Sequence, residues 1–111
     1  MELHRLKILA LGRNAGIMEV VTRLINAHKN WEGSFVLTEE EAIAACGSGH
    51  YDIVLLGAGI SLEEEGGLKA RLTALIPSVI VFRHYGGGSG LLENEILSIL
   101  EEHNIRLAEA G

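Results

Sequence analysis

Three glycine-containing segments of this 111-residue chain carry the residue types that bind anions. They read GRNAG (12–16), GAGIS (57–61) and RHYGGGSG (83–90), and each follows an apolar run. Glycine-rich turns and helix N-termini present unpaired N–H groups, and arginine or histidine beside them would add positive charge. The sequence therefore predicts a binding site for a phosphate-bearing small molecule or an acidic partner segment. The residues of this predicted anion site are Gly12, Arg13, Asn14, Gly57, Arg83, His84, Gly86, Gly87 and Gly88.

The segment YGGGSG (85–90) has a second interpretation, as a connecting turn without a ligand. Its spacing is not that of G-x-G-x-x-G after the first strand, and it lacks the lysine of G-x-x-x-x-G-K-[ST]. Glycines also serve turns by adopting positive φ and by leaving room for helix packing. The connecting turn is the favoured interpretation, and anion binding by this segment is the alternative.

The histidines, the serines and the single cysteine do not form a known catalytic or metal-binding motif. Cys46 lies among small apolar residues, which favours an inert buried thiol over a nucleophile. A hydrogen bond in a loop is the favoured role of His84, with acid–base chemistry or anion binding as the alternatives. We therefore predict a protein that is not an enzyme and has no metal and no cofactor. No metal-ligand spacing such as H-x3-H joins His4, His28, His50, His84 and His103.

The composition predicts a soluble protein of the cytoplasm. The chain is 48% hydrophobic and 22% charged, no apolar stretch reaches the length of a membrane span, and the N-terminus lacks the pattern of a signal peptide. A net charge of -6 disfavours binding to nucleic acid or to anionic lipid. The acidic runs TEEEA (38–42) and SLEEEGG (61–67) are interpreted as solvated helix starts that complement the helix dipole.

Strand-like and helix-like segments alternate along the whole chain. Helix starts are indicated by Asn14, by Thr38 with Glu41 and by Ser61 with Glu64. The alternation predicts one α/β domain, residues 1–111, with a mainly parallel sheet of four strands covered on both faces. The tail 105–109 is interpreted either as a frayed end or as a short fifth strand. The predicted strands are LKILAL (6–11), GSFVL (33–37), YDIVLLG (51–57) and SVIVF (78–82).

The order of these elements and the segment GHYDIVLLGAGISLEEEGG (49–67) resemble the response-regulator receiver domain. The resemblance covers about residues 5–85. It implies a flavodoxin-like three-layer α/β/α sandwich with strand order 2-1-3-4. Receivers are phosphorylated on an aspartate that follows the third strand, next to an acid pair that holds magnesium. A hydroxyl residue follows their fourth strand, and a lysine follows their fifth.

This chain departs from the receiver pattern at every functional position. The resemblance places the acid pair at Gly12 and Arg13, the phosphate acceptor at Gly57 and the hydroxyl residue at Arg83. No lysine remains for the last position. Asp52 is the only aspartate, and it lies at the opposite end of its predicted strand, roughly 16 Å from the acceptor position. The resemblance therefore implies a receiver-like domain, a pseudo-receiver, that is not phosphorylated in the family's way.

A weaker resemblance links the chain to the IIB components of the cellobiose and lactose type of phosphotransferase system. It rests on the four-strand length, on LLGAGI (55–60) and on YGGGSGLL (85–92). Those proteins carry a phosphorylated cysteine at the end of the first strand. That position is Gly12 here, and Cys46 belongs to the second predicted helix, so this chemistry is not expected either.

These observations favour a signalling or regulatory domain that acts by binding another protein, whose identity the sequence does not give. The alternative function is a sensor of a phosphate-bearing ligand at the predicted anion site. The strand at 78–82 would end the sheet with unpaired backbone groups. Either the tail 105–109 covers that edge as a short strand, or a second copy pairs with it in a two-fold homodimer.

Overall fold

A computed structural model describes residues 2–57, 59–84 and 89–107 of the chain. Four parallel strands form the main sheet in the order β3-β2-β4-β5, and two short strands, β1 and β6, pair separately. The main sheet has the predicted 2-1-3-4 order, so the flavodoxin-like α/β fold is confirmed. In chain order the elements are β1 (Glu2–Leu3), β2 (Leu6–Leu11), α1 (Ala15–Asn26), β3 (Trp31–Val36), α2 (Glu39–Ser48), β4 (Ile53–Leu56), α3 (Leu62–Leu75), β5 (Ile80–Arg83), α4 (Ser89–Glu102) and β6 (Arg106–Leu107).

The two central strands are buried on both faces, which explains why their sequences are nearly continuous apolar runs. Along β2, Ile8 packs with α1 and α4 on one face, and Leu9 packs with α2 and α3 on the other. We call these the first face and the second face of the sheet. Each helix pair buries one apolar stripe on its face, and together they make two core layers.

The first three helices begin where the sequence predicts. Asn14 accepts the N–H of Ile17 at 2.9 Å at the start of α1. Ser61 and Glu64 form a complete capping box at the start of α3. These side chains satisfy N–H groups that a helix cannot pair internally. None of the helices in the described ranges is both long enough and apolar enough to cross a membrane.

A turn at the end of α4 directs the tail to β1. Asn104 has a positive φ of 54°, and the N–H of Ile105 bonds back to Leu100 O at 2.8 Å, which is a Schellman turn. β6 then pairs in parallel with β1, with Leu107 opposite Leu3. The tail therefore does form a short strand, but residues 105–107 do not cover β5. The expectation that the tail could close that edge is wrong for these residues, because the turn after α4 directs them to β1 and not to β5.

One residue on the outer edge of β3 is covered by a side chain. Gly33 donates its N–H to Asn26 Oδ1 at 2.8 Å, and the Asn26 amide donates to Gly33 O at 3.0 Å. One asparagine at the end of α1 thus satisfies both outward backbone groups of this residue. A glycine is needed here because a Cβ at position 33 would lie only 2.8 Å from Ile25 Cγ2. The close approach of α1 to β3 allows the amide to reach the strand.

Candidate functional site

The predicted site residues meet where the parallel strands end. The hydrogen-bonded ladder continues one residue past the strands, with Gly57 N bonded to Leu11 O at 2.7 Å and His84 N bonded to Leu56 O at 2.9 Å. Gly12 is held similarly, through Val36 O at 3.3 Å. The glycines, Arg13, Asn14, Arg83 and His84 therefore lie along one edge, as the fold rule for such sheets expects. The predicted residues Gly86, Gly87 and Gly88 lie outside the described residues.

The space beside the two glycines of this edge is filled by Met18. A Cβ added at Gly12 would lie 2.6 Å from Met18 Sδ, and one added at Gly57 would lie 2.4 Å from Met18 Cε. Both distances are far below ordinary contact, and Met18 has 0% exposure. One thioether side chain of α1 thus lies where a Cβ at either position would be, and it would have to shift to admit one. We call this arrangement the methionine plug.

Arg13 makes contacts within the protein, although its side chain stays 38% exposed. Its guanidinium forms an ion pair with Glu64 and donates to Leu37 O at 2.9 Å. Its stem crosses Gly59, where a Cβ would lie 2.6 Å from Arg13 Cγ and where φ is +90°. Only glycine fits that backbone conformation and that contact without strain.

Arg83 is held in the same way by the next residue of α3. Its Nε donates to Glu65 Oε1 at 2.6 Å, and its Nη2 donates to Ser61 O at 3.1 Å. The side chain is 15% exposed. The first turn of α3 therefore supplies a carboxylate to each arginine of the edge. The interpretation of the run SLEEEGG as merely solvated missed this role, because the run touches the arginines only once the sheet has formed.

His84 is the third basic residue of the edge, and it too has an acidic partner. Its Nδ1 contacts the carboxylate of Glu95, and the two side chains are 9% and 20% exposed. This contact ties α4 to the end of β5. Across the described ranges, no three His, Cys, Asp or Glu side chains come together as a metal-ligand group.

The electrostatics of this edge are therefore compensated rather than simply positive. Three basic side chains each meet one carboxylate: Arg13 with Glu64, Arg83 with Glu65, and His84 with Glu95. Anion binding at this edge stays a prediction, and an anion would have to compete with those carboxylates for the same donors. The sequence carried a signal for one of these carboxylates, namely the capping-box position of Glu64.

Glu64 has a perturbed pKa with a clear cause. The N–H of Ser61 donates to its carboxylate at 3.1 Å, and this bond, followed by the hydrogen bond from Arg13, lowers the pKa of Glu64 from its usual 4.5. Hydrogen bonds to a carboxylate favour its charged form. A carboxyl whose pKa is lower when folded stabilises the fold above its unfolded pKa, and this contribution is lost as the pH falls through the folded value.

We expect Glu64→Gln to remove this pH-dependent contribution. The melting temperature of the variant should lie below that of the wild type at neutral pH. The two should converge as the pH falls below 4.5, where the wild-type carboxylate becomes protonated. The matched control is Glu63→Gln, an exposed neighbour in the same turn. A constant difference between Glu64→Gln and the wild type across the acidic range would contradict the assignment.

Comparison with known proteins gives a fold and no family. No family model matches the chain, and no curated protein matches it. A crystal structure from Burkholderia pseudomallei K96243, of a protein described provisionally as pilus assembly-related, aligns with a TM-score of 0.67. The alignment covers 97% of this chain and 96% of that one at 13% sequence identity. At this identity the likeness is one of fold alone, and it extends over nearly the whole of both chains.

Proposed function

We propose that this chain is a receiver-like regulatory domain that acts by binding another protein and does not carry out receiver phosphotransfer. The methionine plug is the observation that carries the proposal. The resemblance to receivers assigns the acid pair to Gly12 and Arg13 and the phosphate acceptor to Gly57. Met18 fills the space beside both glycines, so a side chain at either position would have to displace a buried methionine.

The plug also opposes the chemistry on physical grounds. Magnesium binds hard oxygen ligands and keeps several waters, so it needs an open polar cavity. A buried thioether is a soft, apolar surface that offers neither. Sequence comparison with receivers indicates missing carboxylates. The packing of Met18 adds that a side chain placed at Gly12 or Gly57 would meet a buried thioether.

The ion pairs at this edge favour a binding surface that stays the same over a surface that changes when a ligand binds. A receiver changes state when a phosphoryl group alters the charge of its edge. Here Arg13, Arg83 and His84 already have carboxylate partners from α3 and α4. A binding surface that is complete without a small molecule suits a constitutive interaction domain. The alternative, a sensor of phosphate-bearing ligands, would require a ligand to displace Glu64 or Glu65.

The first experiment incubates the protein with acetyl phosphate and magnesium and measures intact mass and melting temperature. We expect no phosphoryl adduct and no rise in melting temperature. The same melting series with inorganic phosphate, nucleotides and sugar phosphates tests the sensor, because a ligand of the native state raises stability by mass action. A rise that disappears in the double variant Arg13→Ala, Arg83→Ala would replace the interaction domain with the sensor.

The second experiment tests the interaction itself. Tagged protein is used to capture partners from its own cells, and each candidate is then purified and its affinity measured by titration calorimetry. The pilus-related description of the structural neighbour makes pilus assembly components the first candidates to titrate. We expect a purified partner to bind with the same affinity in the presence and absence of acetyl phosphate. An affinity that depends on the phosphoryl donor would overturn the proposal.

A further inference from the structure

The outer edge of β5 has backbone groups that no strand among the described residues pairs with. Ile80 N bonds to Asp52 O at 3.1 Å and His84 N bonds to Leu56 O at 2.9 Å, so these residues face β4. Because backbone direction alternates along a strand, the N–H and C=O groups of Val81 and Arg83 point the other way. Within ranges 2–57, 59–84 and 89–107, no strand pairs with that side of β5.

The opposite edge of the sheet, at β3, is partly covered, which distinguishes it from the edge at β5. At β3 the amide of Asn26 satisfies both outward groups of Gly33, and Trp31 N bonds to His28 O at 3.2 Å. Proteins commonly block an edge strand in this manner to prevent pairing with another chain. The described part of the chain gives Val81 and Arg83 of β5 no equivalent cover, so a further strand can add at this edge.

The side chains around β5 suit an identical strand. Ile80 and Phe82 belong to the first face, Val81 belongs to the second, and all three are only partly buried. The charged end of Arg83 is drawn back to Glu65 and would not repel a second strand. An apolar strand with no free charge at its edge matches itself better than it matches an acidic or basic segment.

We propose that two copies of this chain pair antiparallel through β5, around a two-fold axis at Phe82. In this register Val81 of each copy lies opposite Arg83 of the other and exchanges two backbone hydrogen bonds with it. The two Phe82 side chains lie side by side as a non-hydrogen-bonded pair on the first face, which is a favourable cross-strand aromatic contact. The contact is self-complementary, as a two-fold interface requires. This inference goes beyond the proposed function, since a domain can bind a different protein without associating with itself.

The oligomeric state is measured by sedimentation equilibrium over a range of concentrations. We expect the wild type to reach twice the 12.0 kDa chain mass. Val81→Pro removes an outward N–H and keeps the bonds to β4, so it should weaken dimerisation by about tenfold to a hundredfold. A monomeric wild type would overturn the inference, and so would a dimer of unchanged affinity in the variant.

Disulfide trapping tests the register and does not depend on the proline variant folding. In a Cys46→Ala background, Phe82→Cys is expected to cross-link under mild oxidation, because residues of a non-hydrogen-bonded pair lie within disulfide reach. Val81→Cys should cross-link at least about tenfold more slowly, since its opposite residue is Arg83. Ser34→Cys, an exposed position on β3, is the control. Equal cross-linking at positions 34 and 82 would overturn the register and the interface together.

The experiments distinguish a failure of the proposed dimer from a failure of the proposed function. If the wild type is monomeric and still binds a purified partner, the dimer is wrong and the interaction domain stands. If the wild type dimerises through β5 and acetyl phosphate changes its mass or its partner affinity, the dimer stands and the proposed function is wrong. Both readouts use the same preparation of the full chain.

Discussion

Replacing Met18 with alanine should lower the free energy of unfolding by about 2–5 kcal/mol. The side chain is completely buried, and it lies beside Gly12 and Gly57 and within the first-face core. Removal of a buried methionine loses its transfer free energy and leaves a cavity next to Gly12 and Gly57. Urea denaturation of the wild type and variant gives the difference, provided that both unfold in one transition.

The same plug predicts coupling with position 57. Gly57→Ala alone should cost about 1–3 kcal/mol, because the new methyl group would overlap Met18. In the double variant the methyl group enters space that the methionine has left, so the total loss should be smaller than the sum. Gly47→Ala is the matched control, since a Cβ there meets nothing within 4 Å. Additive losses within about 0.5 kcal/mol would argue against direct contact.

The second prediction with a large effect concerns a variant that restores a carboxylate at the receiver's acceptor position. We expect this variant to be destabilised and not to be phosphorylated. Gly57→Asp would place a carboxylate against a buried thioether, where burial of an unpaired charge costs several kcal/mol in addition to the steric overlap. We expect a loss of at least about 4 kcal/mol near neutral pH. No phosphoryl group should be taken up from acetyl phosphate and magnesium.

The pH dependence of this variant has a definite sign. Burial raises the folded-state pKa of a carboxyl above its unfolded value. Gly57→Asp should therefore be least destabilised in acid, where the introduced carboxyl is protonated in both the folded and the unfolded state. It should lose stability as the pH rises from the unfolded pKa towards the folded pKa. Unfolding measured across the acidic range tests this. A variant of wild-type stability that accepts phosphate would show that Met18 moves aside freely, and the proposed function would fall.

The sequence predicted the parts of the fold that depend on local signals. The apolar run of β2 has the predicted bounds, 6–11, because burial on both faces leaves a continuous pattern. Asn14 and Ser61 mark helix starts because capping needs only a few neighbouring residues. β1 was missed, since a strand of two residues has no period to detect and exists only because β6 returns to it.

The sequence predicted where the candidate-site residues lie in the sheet, but it did not predict the contacts that they make. Parallel strands bring Gly12, Gly57 and Arg83 to one edge by topology alone, and the structure places them there. The plug depends on where the axis of α1 lies relative to the sheet, and no spacing in the sequence specifies that. The partners of the arginines depend on the rotation of α3, so Glu65 could not be distinguished from its exposed neighbours before the fold was known.

The amide of Asn26 has a consequence for how many chains can join. Open-ended growth of a fibre by strand addition needs two free edges on every subunit, one to receive a strand and one to offer it. With Gly33 already satisfied by that amide, the middle of the β3 edge offers a second chain fewer hydrogen-bonding groups. Growth through the main sheet would therefore be weaker at β3 than at β5. A single side chain at the end of α1 thus works against fibre formation, and Asn26→Ala would remove that protection.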